Sequence, residues 1–351
     1  MKYLRFLTLL LLAALTFGSV WADDPDYRDQ RREIFRQLPV NENSIVFLGN
    51  SITDFGLWSE FFGSDPNIIN RGIQGIESPE VLEHLSLIGS GHPKKVFLMI
   101  GINDFKTPER VVPNIRKMLE TLQRESPQTT LYVQSILPCN IAERASEPGT
   151  LNPQIKALCE EMNVTYIDVY AAMTKISGNT SMPANMTDDS LHPNVLGYRE
   201  WCKVLASYVG KSSAIAETGA VKKPLNRGIY NSILSEYQLV PVNDGDILHV
   251  GDYQVMTGEW AELMGMSTFK NRGLGGGFGW SMSLAEFNSA YGCLIKGSPS
   301  KIFFQCGKRA LDAKETTAAS LFSQYKTAVN NIRKTAPDAD LYLESIIPNA
   351  D

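Results

Sequence analysis

Ser44-Ile45-Val46-Phe47-Leu48-Gly49-Asn50-Ser51-Ile52-Thr53 is the stretch on which the reading of the chain turns. Ser44 to Leu48 is a short, apolar, β-branched run, the pattern of a buried strand. At Gly49 that pattern stops, and a polar Asn-Ser pair stands where the next element begins. Alone, this is the signature of a turn. In an α/β sheet, however, the carboxyl ends of the strands rim the ligand crevice, so a serine there is a candidate for chemistry.

Outward from this point strands and helices alternate. Residues 23–40 read as a charged helical lead-in closed by Pro39. Asn67 to Asn70 is a strand ending at Arg71-Gly72-Ile73-Gln74-Gly75, and Ser78-Pro79-Glu80 starts a helix with Ser78 as cap. Lys95 to Ile100 is a buried strand that stops at Gly101-Ile102-Asn103-Asp104, and Thr107-Pro108-Glu109 caps the next helix. Leu131 to Ile136 is a strand, Asn152-Pro153 opens a helix, Val164 to Asp168 is the last strand, and a helix follows His192-Pro193-Asn194. Apolar strands alternating with helices predict a doubly wound α/β domain with a parallel sheet over 23–210.

Residues 211–226 turn small, polar and charged and read as a linker. The stretch 227–351 then reads as a diverged copy of the first domain. Ile247 to Tyr253 falls on the strand ending in Ser51, Trp260-Ala261-Glu262 on Trp58-Ser59-Glu60, and Asn271-Arg272-Gly273 on Asn70-Arg71-Gly72. Lys301 to Gly307 falls on the strand ending at Gly101, and Leu341 to Pro348 on Leu131 to Pro138. This copy has no counterpart of the last strand and helix, so its open sheet edge is expected to be covered by the first domain, unless the sequence is a fragment of a longer protein.

Composition excludes several classes. Lys2 and Arg5 precede an apolar run from Phe6 to Phe17, and Val20-Trp21-Ala22 offers a small-residue cleavage site, so residues 1–22 read as a signal peptide. The mature chain is expected near Asp23, exported to the periplasm or beyond, with no membrane span. The formal net charge of -5 and the scattered basic residues make nucleic acid an improbable partner. Five cysteines fit neither a disulfide framework nor a zinc site; a Cys139–Cys159 bridge is left open. With four histidines and no HExxH, neither a metal nor another cofactor is expected. Gly273 to Gly277 does not satisfy GxGxxG, and Gly279 to Ser283 misses the G-x-S-x-G elbow by its last residue. The oligomeric state stays open.

The polar residues of the first copy stand at strand ends: Ser51, Gly75, Asn103, and Asp189-Ser190-Leu191-His192 after the last strand. A parallel sheet brings these points to one edge, where they supply the parts of an acyl-transfer site. Ser51 is the expected nucleophile, His192 its base and Asp189 the residue that holds the imidazole. The oxyanion would meet the Ser51 and Gly75 backbone N–H groups and the Asn103 amide. Each residue also has an ordinary use: Asn103 in a cap or turn, Gly75 at positive φ, Asp189 at a helix start, His192 in a surface loop. Their coincidence at successive strand ends favours the chemical reading.

Gly49-Asn50-Ser51-Ile52-Thr53, Asn70 to Gly75, Gly101 to Asp104 and Asp189 to His192 together resemble the four blocks of the SGNH (GDSL-type) hydrolases, over residues 41–210. The resemblance implies a flavodoxin-like three-layer α/β/α sandwich and metal-independent esterase or acyl hydrolase activity. It places the nucleophile on Ser51, the oxyanion donors on Ser51, Gly75 and Asn103, and the acid–base pair on Asp189 and His192. Asn50 stands where many members have Asp, outside the triad. The Asn-Arg-Gly block and the Leu-His-Pro-Asn ending are most similar to the platelet-activating-factor acetylhydrolase-like and bacterial carbohydrate O-acetylesterase branch, sialate-type enzymes included. That implies a short acyl ester or O-acetylated glycan as substrate, with lysophospholipid hydrolysis or acyl transfer to a sugar as alternatives. In the second copy Tyr253 replaces the nucleophile and Arg309 replaces Asn103, so that lobe is expected to be inactive. A rival reading makes the protein a glycan binder that uses Tyr253, Trp260 and Trp280.

Overall fold

The computed structural model describes residues 27–276, 280–312 and 317–346. The signal-peptide reading, Gly277 to Gly279 and the end of the Leu341–Pro348 match lie outside the described residues.

The first lobe begins with α1 (Tyr27–Gln37), then β1 (Ile45–Gly49), α2 (Ser51–Asp54), α3 (Trp58–Phe61), β2 (Ile68–Gly72), α4 (Ser78–Leu82), α5 (Ser86–Gly89) and β3 (Lys95–Met99). It continues with α6 (Val111–Glu125), β4 (Thr130–Gln134), α7 (Glu147–Glu161), β5 (Thr165–Ile167), α8 (Val169–Ser177) and α9 (Val195–Val209). The five strands pair in parallel in the order β2-β1-β3-β4-β5, the doubly wound order whose switch point lies between β1 and β3. Every residue of β1 is buried, as its unbroken apolar run requires of a central strand covered on both faces. Phe47 from β1 stacks on Trp58 at 4.0 Å and on Phe97 of β3 at 4.9 Å. The indole Nε1 of Trp58 donates to the Thr53 carbonyl at 2.7 Å, which ties α2 down over this aromatic core.

The second lobe contains α10 (Gly228–Leu239), β6 (Ile247–Gly251), α11 (Tyr253–Met256), α12 (Trp260–Met264), β7 (Phe269–Gly273), the two-residue ribbon β8 (Gly275–Gly276) and β9 (Trp280–Ser281), and α13 (Leu284–Leu294). After these come β10 (Lys301–Gln305), α14 (Lys308–Asp312), α15 (Ala318–Thr335) and β11 (Asp340–Leu343). Its sheet runs β11-β10-β6-β7, all parallel, so β7-β6-β10-β11 has the connectivity of β2-β1-β3-β4. Local bonds recur at matched positions. Asn70 Nδ2 donates to the carbonyls of Thr53, Asp54 and Gly56, and Asn271 Nδ2 to those of Val255, Met256 and Gly258.

The lobes meet through two reciprocal ion pairs. Arg272 of β7 grips Glu60 of α3 at 2.9 and 2.8 Å, and Arg71 of β2 grips Glu262 of α12 at 3.0 and 2.8 Å. The first lobe therefore sits on the β7 side of the second sheet. This corrects the expectation that it covers the open edge. Strand β11 lies at the far edge, with Tyr342 43% and Leu343 53% exposed.

Three local readings also change. Glu77, not Ser78, is the N-cap of α4, in a capping box with Glu80. Helix α7 starts at Glu147 and contains Pro153; Asn152 does not cap it, because its buried amide bonds both the N–H and the carbonyl of Ile136. Cys139 and Cys159 are buried free thiols rather than a bridge. Residues 211–226 carry no helix or strand and run from one lobe to the other: Ala214 N–H donates to the Phe61 carbonyl, while the N–H groups of Lys222 and Leu225 donate to the side-chain oxygens of Gln238 and Asn231 in α10.

Candidate active site

Ser51 is the first residue of α2, one step past the end of β1. Asn50 caps that helix, its side-chain oxygen accepting from Ile52 N–H at 3.1 Å. The Ser51 N–H is thereby left without a backbone partner, as the first N–H groups of any helix are. Ser51 Oγ lies 2.9 Å from His192 Nε2, and His192 Nδ1 lies 2.6 Å from Asp189 Oδ2.

The loop that carries Asp189 and His192 is fixed by its own carboxylate. Asp189 Oδ1 accepts from the N–H groups of Leu191 at 3.0 Å and His192 at 2.8 Å, closing a tight turn in which Ser190 takes the left-handed φ of 73°. Burial pushes the Asp189 carboxyl up, but the hydrogen bond and charge of His192, with the two backbone donors, outweigh it and hold the group below the ordinary carboxylate range. Nδ1 thus carries the proton and Nε2 is free to accept one from Ser51.

Gly75 follows β2 at φ 73°, a conformation that costs glycine nothing. Among the described residues neither its N–H nor that of Ser51 bonds a protein acceptor. Asn103 lies in a 3-10 turn after β3 and caps nothing. Its Nδ2 donates to the Ile76 carbonyl at 2.9 Å, while its Oδ1 accepts from Arg144 Nη1 at 3.1 Å. A guanidinium only donates and a carbonyl only accepts, so these partners fix which way the amide faces. Ser51, Gly75, Asn103, Asp189 and His192 all stand at the carboxyl edge of one sheet.

Three neighbours were not singled out in the sequence. Phe55 sets its ring against His192 at 5.0 Å and 73°. Arg144 bonds Asn103 and stacks on Phe105 at 4.3 Å. Asp188, beside Asp189, is paired with Lys223. Each contact joins residues distant in the chain, and no local pattern marks it.

In the second lobe Asp252 caps α11 as Asn50 caps α2, but Tyr253 follows it. Tyr253 packs toward the first lobe, 6.2 Å from Tyr27. Trp260 repeats the bond of Trp58, donating to the Val255 carbonyl at 2.6 Å. Arg309 donates to the Ser281 carbonyl and pairs with Glu286. A cavity of about 410 Å³ lies between the lobes and includes Asp54, Trp58, Asn70, Glu259 and Trp260 in its lining; neither Ser51 nor His192 lines it. Among the described residues no helix is long and apolar enough to cross a membrane.

Residues 47–200 match the family model described as the GDSL-like lipase/acylhydrolase family. No curated protein matches the chain. Among solved structures, a candidate platelet-activating-factor protein from Streptococcus pneumonia is 26% identical, with 58% of this chain and 98% of that one covered, at a TM-score of 0.46. A GDSL-like lipase from Bacteroides thetaiotaomicron is 21% identical, with 52% and 97% covered, at 0.47. An acetylxylan esterase from Geobacillus stearothermophilus is 22% identical, with 49% and 96% covered, at 0.39. At TM-scores below 0.5 these likenesses carry no weight of their own. The family match spans the strand and serine with which the reading began and reaches past His192: residues 47–200 belong to the GDSL-like lipase/acylhydrolase family, and the chain that carries them is a carboxylic ester hydrolase.

Proposed function

We propose that the protein removes acetyl or other short acyl groups from carbohydrates, sialate-type O-acetyl esters included, through an acyl-enzyme at Ser51. The observation that carries this reading is the chain Ser51 Oγ–His192–Asp189, at 2.9 and 2.6 Å, beside the unpaired N–H groups of Ser51 and Gly75 and the oriented amide of Asn103.

Ser51 Oγ attacks the ester carbonyl while His192 Nε2 takes its proton. The carbonyl electrons move onto oxygen, which the Ser51, Gly75 and Asn103 donors meet. The intermediate collapses, the sugar oxygen leaves with the proton from His192, and the acyl group stays on Ser51. Water then attacks with His192 as base, and release of the acid restores the serine. The carbohydrate preference and export to the periplasm or beyond rest on the sequence resemblance and the N-terminal apolar run. The test is acetate release from p-nitrophenyl acetate and from O-acetylated glycans, parent against Ser51→Ala. Loss of activity in the variant is expected. A folded parent inert on every short-chain ester overturns the proposal.

A further inference from the structure

We propose that the second lobe belongs to the catalytic apparatus of the first: α10 and the segment leading into it seat the loop that carries Asp189 and His192, with Gly228 and Ser235 as positioning residues. The inference rests on the roles given to Asp189 and His192 above.

The loop needs a seat. Between α8 and α9 the chain has no helix or strand beyond an isolated bridge between Thr187 and Pro193, and Ser190 holds a left-handed φ. The first lobe supports one side, with Asn140 N–H donating to the Ser190 carbonyl at 2.8 Å. The other side rests on residues beyond 220. The Asp188 carboxylate, 6% exposed, pairs with Lys223 and accepts from Ser232 Oγ at 3.4 Å. Val195 N–H, the first of α9 and three residues past His192, donates to Ser235 Oγ at 2.8 Å, and both groups are buried.

Helix α10 comes so close that only glycine fits at its start. A Cβ on Gly228 would stand 2.2 Å from the Asp188 carbonyl oxygen and 3.2 Å from Asp189 Cβ. The imidazole itself is packed from this side: Phe55, whose ring meets His192, lies in the same apolar cluster as Leu225, Ile229 and Ile233. Catalytic groups must be held within about 0.5 Å of productive geometry. These contacts hold Asp188 and Val195, on either side of Asp189 and His192, and the face of the imidazole, and so set the 2.9 and 2.6 Å distances. Loss of its own nucleophile does not leave the second lobe idle, because its lead-in helix completes the site next to it.

The test uses the full chain and three variants. Gly228→Val pushes the 188–189 peptide, Ser235→Ala removes the acceptor of Val195 N–H, and Arg272→Met breaks a lobe–lobe pair that does not touch the loop. Two readouts are taken: kcat and KM on p-nitrophenyl acetate, and the low-field proton resonance of the His192 Nδ1–H···Asp189 bond, assigned by its loss in His192→Gln. Gly228→Val is expected to lower kcat by about 10²-fold with KM little changed, the effect of a displacement of about 1 Å, and to move or abolish the resonance. Arg272→Met is expected to melt earlier yet keep both kcat and resonance. A folded Gly228→Val with parental kcat and resonance overturns the proposal, as does an equal loss in Arg272→Met. Should Gly228→Val not fold, Ser235→Ala decides, by a lowered kcat and shifted resonance or by parental values for both. A parent without esterase activity overturns the proposed function alone, since the resonance still reports the seat.

Discussion

Replacing Asp189 by Asn should abolish nearly all activity while leaving the fold in place, and the geometry shows why. The carboxylate has two jobs. Oδ1 accepts from the N–H groups of Leu191 and His192 at 3.0 and 2.8 Å, and Oδ2 accepts from His192 Nδ1 at 2.6 Å. An asparagine has one oxygen to give. Turning its NH₂ toward the two backbone donors strands both, at about 1–3 kcal/mol each. Turning the NH₂ toward His192 strands nothing, because the neutral imidazole can move its proton. The second orientation wins, and the ring then accepts at Nδ1 and carries its proton on Nε2. Facing Ser51 Oγ at 2.9 Å is now a donor where the base should be. A wrong-tautomer imidazole lowers kcat by about 10⁴-fold, or about 5.5 kcal/mol at 1.36 kcal/mol per decade. The assay is p-nitrophenyl acetate hydrolysis by parent and variant, with thermal melts at pH 7 and pH 2. The folded Asp189 carboxyl sits below its ordinary value, so its contribution to stability is present above about pH 4 and is lost as pH falls through the lower folded value. The variant should therefore melt below the parent at pH 7 and with it at pH 2. A well-folded Asp189→Asn within tenfold of parental kcat would refute the reasoning.

Asn103→Ala should cost about 10²–10³-fold in kcat with KM nearly unchanged, since the amide is asked to act only on the developing oxyanion; equal losses in kcat/KM and 1/KM would place it in ground-state binding instead. Arg272→Met leaves Glu60 buried and unpaired at the lobe interface, which should destabilise the protein by about 3–5 kcal/mol in urea unfolding, and a change under 1 kcal/mol would mean that the pair is solvated. Glu236 in α10 is wholly buried without a salt-bridge partner among the described residues, and burial raises its carboxyl well above the ordinary value. The folded state then holds a proton that the unfolded chain releases above about pH 4.5, so stability falls as pH rises past that point. Glu236→Gln should accordingly raise the melting temperature at pH 8 and leave it unchanged at pH 4; a gain at both pH values would point to packing instead.

The central strands are legible because a parallel strand covered on both faces must be apolar on both, and β1 and β3 carry the apolar runs Ile45–Leu48 and Val96–Met99. Helix starts were harder. Asn152-Pro153 reads as a helix start, yet α7 begins at Glu147 and runs through Pro153, and the Asn152 amide is spent on Ile136. Ser51, Gly75 and Asn103 are legible because each follows an apolar strand that the parallel topology brings to one edge, whereas Asp189 and His192 lie past α8 and are marked only by the Asp-Ser-Leu-His run before α9.

The parallel α/β architecture of the first lobe and the polar residues Ser51, Gly75 and Asn103 at its strand ends are written in the amino-acid pattern. Periodicity and strand-end chemistry are local signals, written within a few residues. Tertiary structure alone decided which side of the second sheet meets the first lobe, that Arg144 turns the Asn103 amide, and that Gly228 closes on the 188–189 peptide. Those facts depend on close approach between residues tens to hundreds of positions apart, where the packing of whole lobes, rather than any short pattern, sets the distance.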